Sequence, residues 1–252
     1  MILTLARREL RGLFVSPLAW AILAAVQLVL AYVFLLQIDQ YLRLEPQLNL
    51  IPNAPGATDL AIGPLFIVNA FVCMFVIPLL GMRLLSEERR NATLSLLFSA
   101  PISMTEIVLG KYLGLLGFLA IMLVLIMLMP LSLLLAGHID LGQIAAMLLG
   151  FCLLSAAFAA LSLFMSSLTE HPAVAAISSI GALLFLWLVG LSDTGIQQHA
   201  AGNVLSYLSI LGHFQPFARG VVSTTDIAYY LLLIAVFLLL SIRRLDAQRL
   251  QK

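Results

Sequence analysis

The stretch Ser86-Glu87-Glu88-Arg89-Arg90-Asn91-Ala92-Thr93-Leu94-Ser95-Leu96-Leu97-Phe98-Ser99-Ala100-Pro101-Ile102-Ser103 is a long polar insertion in a very apolar chain. It opens with consecutive charged residues and closes near a proline. Between them Leu94, Leu97 and Phe98 fall at i, i+3 and i+4, which predicts a short amphipathic helix. Because such a helix is too short to cross a bilayer, the pattern predicts two membrane spans joined by a helix outside the membrane.

The composition is that of an integral membrane protein. Hydrophobic residues make up 62% of the 252, charged residues 10%, and the mean hydropathy is +1.10. These values exclude a soluble domain. Cys73 and Cys152 both lie in apolar runs, where cysteine usually serves as a small packing residue, and nothing in their spacing suggests a metal site.

Six apolar runs are long enough to span a membrane. The runs cover residues 18–36, 64–85, 105–135, 143–168, 173–191 and 227–242. A polar loop is expected over 37–63, a short outer turn over 136–142, and a basic tail over 243–252. The region 192–225 is broken by polar residues and proline, and its apolar part, 204–211, is too short to span. We expect a re-entrant or surface-lying segment there.

Residues 1–16 are predicted to form a basic amphipathic helix in the cytoplasmic headgroup layer. One helical stripe carries Leu3, Ala6, Leu10, Leu13 and Phe14. The charged residues off that stripe are Arg7, Arg8 and Arg11.

The distribution of lysine and arginine predicts the orientation. With six spans, eleven basic residues fall on the side that holds both termini and 86–103, and two, Arg43 and Arg219, fall on the other. Cytoplasmic loops carry the excess of basic residues. Both termini and the 86–103 segment are therefore expected in the cytoplasm.

Several chemistries have no motif in this chain. It lacks a G-x-x-x-x-G-K-[ST] phosphate loop, an H-E-x-x-H motif and a G-x-S-x-G motif. An intramembrane enzyme would need Ser166 or Ser167 to act with His171, but the Glu170-His171 pair beside Pro172 is typical of a solvated turn. No Asp, Glu, Lys or Arg lies mid-span, which disfavours an ion-coupled transporter.

The 86–103 helix has two interpretations when taken alone. Its apolar face can dock into a groove on a soluble partner, while Arg89 and Arg90 pair with acidic residues there. Alternatively, the helix lies on the bilayer and its charges act only as topology signals.

The order of residues in this region resembles that of a known family. The elements are Glu87-x3-Asn91-Ala92-Thr93-Leu94, Leu96-Leu97, Ser99-x-Pro101-Ile102-Ser103 and Glu106-Ile107-Val108-Leu109-Gly110-Lys111. They resemble the first cytoplasmic loop of the type-2 family of ATP-binding-cassette (ABC) permeases. Ala92 and Ser95 depart from that pattern, since glycine and an acidic residue are usual there.

A second resemblance lies before the last span. Its elements are Tyr207-Leu208-Ser209, His213-Phe214, Phe217-x-Arg219-Gly220-Val221-Val222, Asp226 and Tyr229-Tyr230. They resemble the branch of that family that contains gliding-motility and copper-maturation permeases. Together with the six spans and the amphipathic N-terminus, the resemblance covers essentially the whole chain as a single transmembrane domain, 1–252.

The resemblance implies an all-α permease subunit, itself non-catalytic, of an exporter-type complex in the bacterial inner membrane. Two ATPase subunits would bind ATP and Mg, so this chain would hold no cofactor. A second permease, identical or paralogous, would complete the complex, with membrane lipids and a possible periplasmic-domain accessory protein as further partners and no nucleic acid. The alternative is a membrane scaffold that transmits force for an envelope or motility machine without moving a substrate.

The resemblance also implies roles for particular residues. The 86–103 coupling helix would dock on the ATPase through Glu87, Glu88, Arg89, Arg90, Thr93, Leu94, Leu97 and Phe98, and the N-terminal helix would dock beside it. Outer re-entrant helices over 192–225 would close the path and include Tyr207, His213, Phe217 and Arg219. The first and fifth spans would face the second permease, and the small residues of the fifth, Ala175, Ser178, Ser179 and Ala182, agree with close packing there.

Overall fold

A computed structural model describes residues 1–48, 56–90, 103–135, 139–191 and 207–250. All regular elements in these ranges are helices, and six stretches are long and apolar enough to cross a membrane, which confirms the predicted fold class. The helices are α1 (Ile2–Val15), α2 (Pro17–Leu48), α3 (Gly63–Gly81), α4 (Arg83–Arg90), α5 (Met104–Ser132), α6 (Leu141–Leu168), α7 (Pro172–Leu191), α8 (Ile210–Ala218) and α9 (Thr224–Leu250). A π-helical turn, Thr58–Ile62, leads into α3, and a 3-10 turn, Leu133–Leu135, follows α5.

The predicted ends of two helices are wrong, because the length of an apolar run indicates how much of a helix lies in the membrane and not how long the helix is. The predicted loop over 37–63 is largely helical: α2 has 32 residues and runs to Leu48, a length of about 48 Å at 1.5 Å per residue. Its polar extension carries an ion pair between Arg43 and Asp39, at 2.9 Å and four residues apart, which supports an exposed helix. Likewise, α9 continues through the predicted basic tail to Leu250.

The charged start of the 86–103 segment continues the second span rather than beginning a separate helix. Pro78 lies inside α3, the helix ends at Gly81, and the chain resumes helical structure at Arg83 as α4. The amide of Met82 still donates to the carbonyl of Pro78 at 2.8 Å, so the break is only a turn. The next described residue, Ser103, caps α5 in a reciprocal capping box with Glu106.

α6 lies at the centre of the bundle and contacts α3, α5, α7, α8 and α9. Its small residues Ala157, Ala159 and Ala160 are fully buried, which lets neighbouring helices approach closely. Aromatic side chains fill the wider parts of the core, as in the edge-to-face pair of Phe66 and Phe151, whose ring centres lie 6.0 Å apart.

α1 packs along the first half of α5 instead of lying alone. A glycine stripe on α5, Gly110, Gly114 and Gly117, faces α1, and a Cβ added at Gly114 would lie 2.7 Å from the Cβ of Glu9 and 3.0 Å from the backbone oxygen of Ala6. Of the predicted apolar stripe, Ala6 is buried, Leu10, Leu13 and Phe14 pack against the core, and Leu3 is 79% exposed. The stripe therefore serves mainly as a helix-packing face.

The glycine stripe gives a direct test of this packing. We expect Gly114→Ala to lower the free energy of unfolding by about 1–3 kcal/mol, because the added methyl overlaps α1. Gly117→Ala is the matched control, since its Cβ would meet Leu10 at an ordinary 3.5 Å. Equal stabilities of the two variants in denaturant titrations of the detergent-solubilised protein would contradict the close approach of α1.

Candidate functional site

The two ends of the bundle carry different kinds of polar clusters. At one end, which we name the basic end, α1, α4, the start of α5, the last turn of α6 and the end of α9 come together. The opposite end holds the start of α3, the start of α6, α8 and the start of α9. The described residues of the predicted docking set, Glu87 to Arg90, belong to the basic end, and the described residues of the predicted re-entrant set belong to the opposite end.

A buried lysine joins three helices at the basic end. Lys111 of α5 is 1% exposed, and its Nζ lies 3.0 Å from Oε1 of Glu9 on α1 and 2.8 Å from Oε1 of Glu88 on α4. We name these three residues the charge triad. Their pairing fixes the register of α1 and α4 relative to α5, because one ammonium group makes charge-assisted hydrogen bonds to a carboxylate of each of the other two helices.

The glycine stripe makes the charge triad possible. Gly114 faces Glu9, and Gly110 faces Leu5, so the backbones of α1 and α5 lie close enough for Glu9 to reach Lys111. A buried ammonium group is tolerated only when it is paired. Lys111 is one of the eleven basic residues that predict the orientation of the chain. Local sequence does not indicate its burial, because its partner Glu9 lies 102 positions away.

A serine of α6 binds the turn between α3 and α4. The hydroxyl of Ser166 accepts hydrogen bonds from the amides of Leu85 and Ser86, both at 3.1 Å, and donates to the carbonyl of Met82 at 2.9 Å. Nη1 of Arg89 donates to the carbonyl of Ser167 at 2.7 Å. These bonds tie α4 to the last turn of α6, and the bond between Glu88 and Lys111 ties it to α5.

The same bonds bear on the enzyme alternative. The Ser166 hydroxyl proton points to Met82, and the Ser167 hydroxyl donates to the carbonyl of Phe164 at 2.6 Å. Neither hydroxyl is paired with His171, whose backbone amide donates to the Thr169 hydroxyl. In the described part of the chain these serines stabilise helices rather than form a nucleophile and base pair.

The predicted docking set is only partly brought together. Arg90 of α4 is exposed, as are Arg7, Arg8 and Arg11 of α1, while Glu87 is half-buried and Glu88 and Arg89 are engaged as described above. Thr93, Leu94, Leu97 and Phe98 lie outside the described residues, so the predicted amphipathic helix stays a prediction.

At the opposite end His213 connects α8 to α9. Its Nδ1 lies 2.6 Å from Oδ1 of Asp226 and its Nε2 lies 3.1 Å from the carbonyl oxygen of Tyr207, so both ring nitrogens have an oxygen within hydrogen-bond distance. The ring also stacks on Tyr229 with centres 4.1 Å apart. The buried Tyr230 hydroxyl donates to the carbonyl of Ile210 at 2.9 Å.

The other predicted residues of this region have structural surroundings. Phe217 is fully buried against Gly150 of α6, and exposed Arg219 ends α8 just before Gly220, whose φ of 79° favours glycine. Gln143 of α6 donates to Asp59 at 2.7 Å and to the carbonyl of Ala218 at 3.2 Å. The described short helix of this region is α8, Ile210–Ala218, which overlaps only the end of the apolar run 204–211. Residues 192–206 lie outside the described residues, and the re-entrant placement stays a prediction.

The small residues of the fifth span divide between two environments. Ala175 and Ser179 are fully buried inside the chain, and the Ser179 hydroxyl donates to the Ala175 carbonyl at 2.7 Å. Ser178 and Ala182 are half-buried, while Val174, Ile177 and Phe185 are exposed. Ala175 and Ser179 thus pack within this chain, and the exposed face of α7 is formed by larger apolar residues.

A comparison with known protein families identifies the family of this chain. The model of the family described as ABC-2 family transporter protein matches residues 3–250, almost the whole chain. No curated protein matches the chain.

The charge triad predicts an asymmetric response to mutation. We expect Lys111→Met to lower the free energy of unfolding by about 1–3 kcal/mol, because two half-buried carboxylates would lose the ammonium group that they share. The neutral triple variant Glu9→Gln/Lys111→Met/Glu88→Gln is expected to recover most of that loss.

The exposed pair of Arg43 and Asp39 is the matched control. Its side chains are 77% and 58% exposed, so Arg43→Met is expected to cost no more than about 1 kcal/mol. Denaturant titration of the four proteins measures these differences, and a Lys111→Met variant as stable as Arg43→Met would refute the structural role of the charge triad.

Proposed function

The chain belongs to the ABC-2 family of transporter proteins, and from this premise we propose that it couples a partner's ATP cycle to export across, or mechanical work at, the bacterial inner membrane. Family membership and the six apolar helices make it a multi-pass membrane protein and a permease subunit of an ABC transporter. ATP and Mg would be bound by the ATPase subunits. The direction of coupling and the nature of the work are our proposal.

We place the basic end in the cytoplasm. Eleven of the thirteen basic residues belong to this side of the chain, and cytoplasmic segments of membrane proteins carry such an excess. Both termini and the 91–102 segment would then face the ATPase.

The observation that carries the proposal is the charge triad. The segment 91–102, which would hold the coupling helix, begins directly after α4 and ends at the cap of α5. α4 and α5 are joined to each other and to α1 through Lys111. A displacement applied to 91–102 would therefore move α1, α4 and the head of α5 as a unit.

That displacement has a route into the spans. The turn at Met82 connects α4 to α3, and Ser166 binds that turn to α6, the central helix. Because close-packed helices shift between discrete arrangements rather than deform smoothly, ATP-driven movement at the basic end would rearrange the central bundle. At the opposite end, α8 would act as the outer closure, held to α9 by the His213–Asp226 pair.

The full assembly that we propose has two ATPase subunits and two permease subunits. The exposed apolar face of α7 and the first span would meet the second permease, as the family resemblance implies. A periplasmic-domain accessory protein is a further expected partner of the gliding-motility and copper-maturation branch.

Docking through 91–102 is testable by co-purification. We expect Leu94→Asp combined with Leu97→Asp to abolish recovery of the ATPase with the tagged permease, because two carboxylates would be placed on an apolar docking face. The control is Leu42→Asp combined with Leu44→Asp, two exposed positions on the far extension of α2. Undiminished ATPase recovery with the Leu94/Leu97 variant would contradict docking at this helix.

Export and force transmission are separated by a flux assay. The complete complex in proteoliposomes is expected to show ATP-dependent movement of a lipid, ion or polysaccharide, and a variant ATPase that cannot hydrolyse ATP sets the background. ATP hydrolysis without any such flux would instead favour the scaffold that transmits force to an envelope or motility machine.

A further inference from the structure

A groove lies between the α1–α2 elbow at Ser16 and the junction of α3 with α4. Its inner part has a volume of about 170 Å³ and its outer part about 320 Å³, and the two share lining residues, including Gly12, Arg83 and Glu87. We name it the elbow groove. It lies beside the charge triad, on the side of α1 that carries Gly12.

The lining of the elbow groove changes from apolar to charged along its length. The inner part is formed by Leu13, Leu18, Ala19, Leu79 and Leu80. Leu18 and Ala19 belong to the first span, and Leu79 and Leu80 to the second. The apolar lining of this part suits the edge of a hydrocarbon layer, whereas the charged lining of the outer part suits the headgroup level.

The outer part carries balanced charge. Its lining includes three cations, Arg8, Arg83 and Lys111, and three carboxylates, Glu9, Glu87 and Glu88. The charge triad uses Lys111, Glu9 and Glu88. Arg83 and Glu87 are four residues apart on α4, yet they form no ion pair with each other or with any other described residue. Arg8 likewise forms no ion pair with a described residue. Two cations, Arg8 and Arg83, and one carboxylate, Glu87, thus line the groove without an ion-pair partner among the described residues.

We propose that the elbow groove binds a phospholipid whose headgroup holds both a phosphate and a primary ammonium, as in phosphatidylethanolamine. Arg83 would pair with the phosphate, Glu87 would accept from the ammonium, and an acyl chain would lie along Leu79 and Leu80. The zwitterionic headgroup of such a lipid matches the charged outer part of the groove, and its acyl chain matches the apolar inner part. A segment of a soluble partner would match only the outer part.

This site does not depend on ATPase coupling, so it can be measured on the permease chain alone. The full-length protein, purified in detergent, would be titrated with phosphatidylethanolamine or phosphatidylglycerol of identical acyl chains, and bound lipid counted by native mass spectrometry. We expect tighter binding of phosphatidylethanolamine, and Glu87→Gln should weaken it by about tenfold while leaving phosphatidylglycerol nearly unchanged, because only the ammonium contact is lost.

Gly12 allows the groove to be filled without disturbing the fold. A Cβ at Gly12 meets no described atom within 4 Å, and the same is true of Gly181 on α7, which supplies the matched control. Gly12→Trp is expected to remove selective phosphatidylethanolamine binding, whereas Gly181→Trp should retain it.

Three results would overturn the proposal. The first is equal affinity of the unmodified protein for both lipids. The second is unchanged phosphatidylethanolamine binding in both Gly12→Trp and Glu87→Gln. The third is a Gly12→Trp variant that keeps its lipid but no longer recovers the ATPase, which would assign the groove to a partner segment instead.

Discussion

A single buried ammonium group organises the basic end of this protein. Lys111 is removed from solvent and satisfied by two carboxylates that come from different helices. Removing either carboxylate would leave a buried charge with less compensation, and removing the lysine would take from both carboxylates the ammonium group that they share. The arrangement therefore specifies one docking position for α1 and α4 on α5 and disfavours slipped alternatives. Glu9 can reach the lysine only because Gly110 and Gly114 let α1 approach α5 closely.

Helices are held together by different interactions at the two ends of the bundle. At the basic end, ionic contacts and the Ser166 hydrogen bonds join α1, α4, α5 and α6 into one mechanical unit. At the opposite end, His213 and the stacked Tyr229 hold α8 against the start of α9. Between them α6 is close-packed with small residues, so a movement at one end has a continuous path to the other. This organisation suits the coupling to a partner ATPase that we propose for this permease subunit.

The amino-acid sequence predicts the parts of this structure that depend on local pattern. Apolar run length gives six spans, and the polar 86–103 insertion identifies the family, which the match over residues 3–250 confirms. Run length does not give helix length, since α2 and α9 continue for several turns beyond their apolar cores with exposed polar residues. The hydropathy of a run reports which part of a helix is suited to the hydrocarbon layer, whereas the backbone hydrogen bonds of the helix continue into its polar extensions.

Pairings between distant residues could not be predicted from local pattern. The partners in the charge triad are separated by 102 and 23 positions, and Lys111 taken alone was indistinguishable from a topology signal. Small residues in the fifth span indicate close packing, and Ala175 and Ser179 are fully buried within this chain. Contact of this span with a second permease stays a prediction. A glycine stripe opposite an amphipathic helix is the one signal that could have indicated the docking of α1 on α5.

The central claim is that α1 and α4 move together when the partner ATPase binds ATP. Spin labels at Thr4→Cys and Arg83→Cys, in a background of Cys73→Ala and Cys152→Ala, report the distance between these helices by double electron–electron resonance in the assembled complex. We predict one narrow distance distribution that is the same with and without ATP, and a broadened distribution when Lys111→Met is added. A change in the α1–α4 distance on ATP binding in the protein with an intact charge triad would contradict the account.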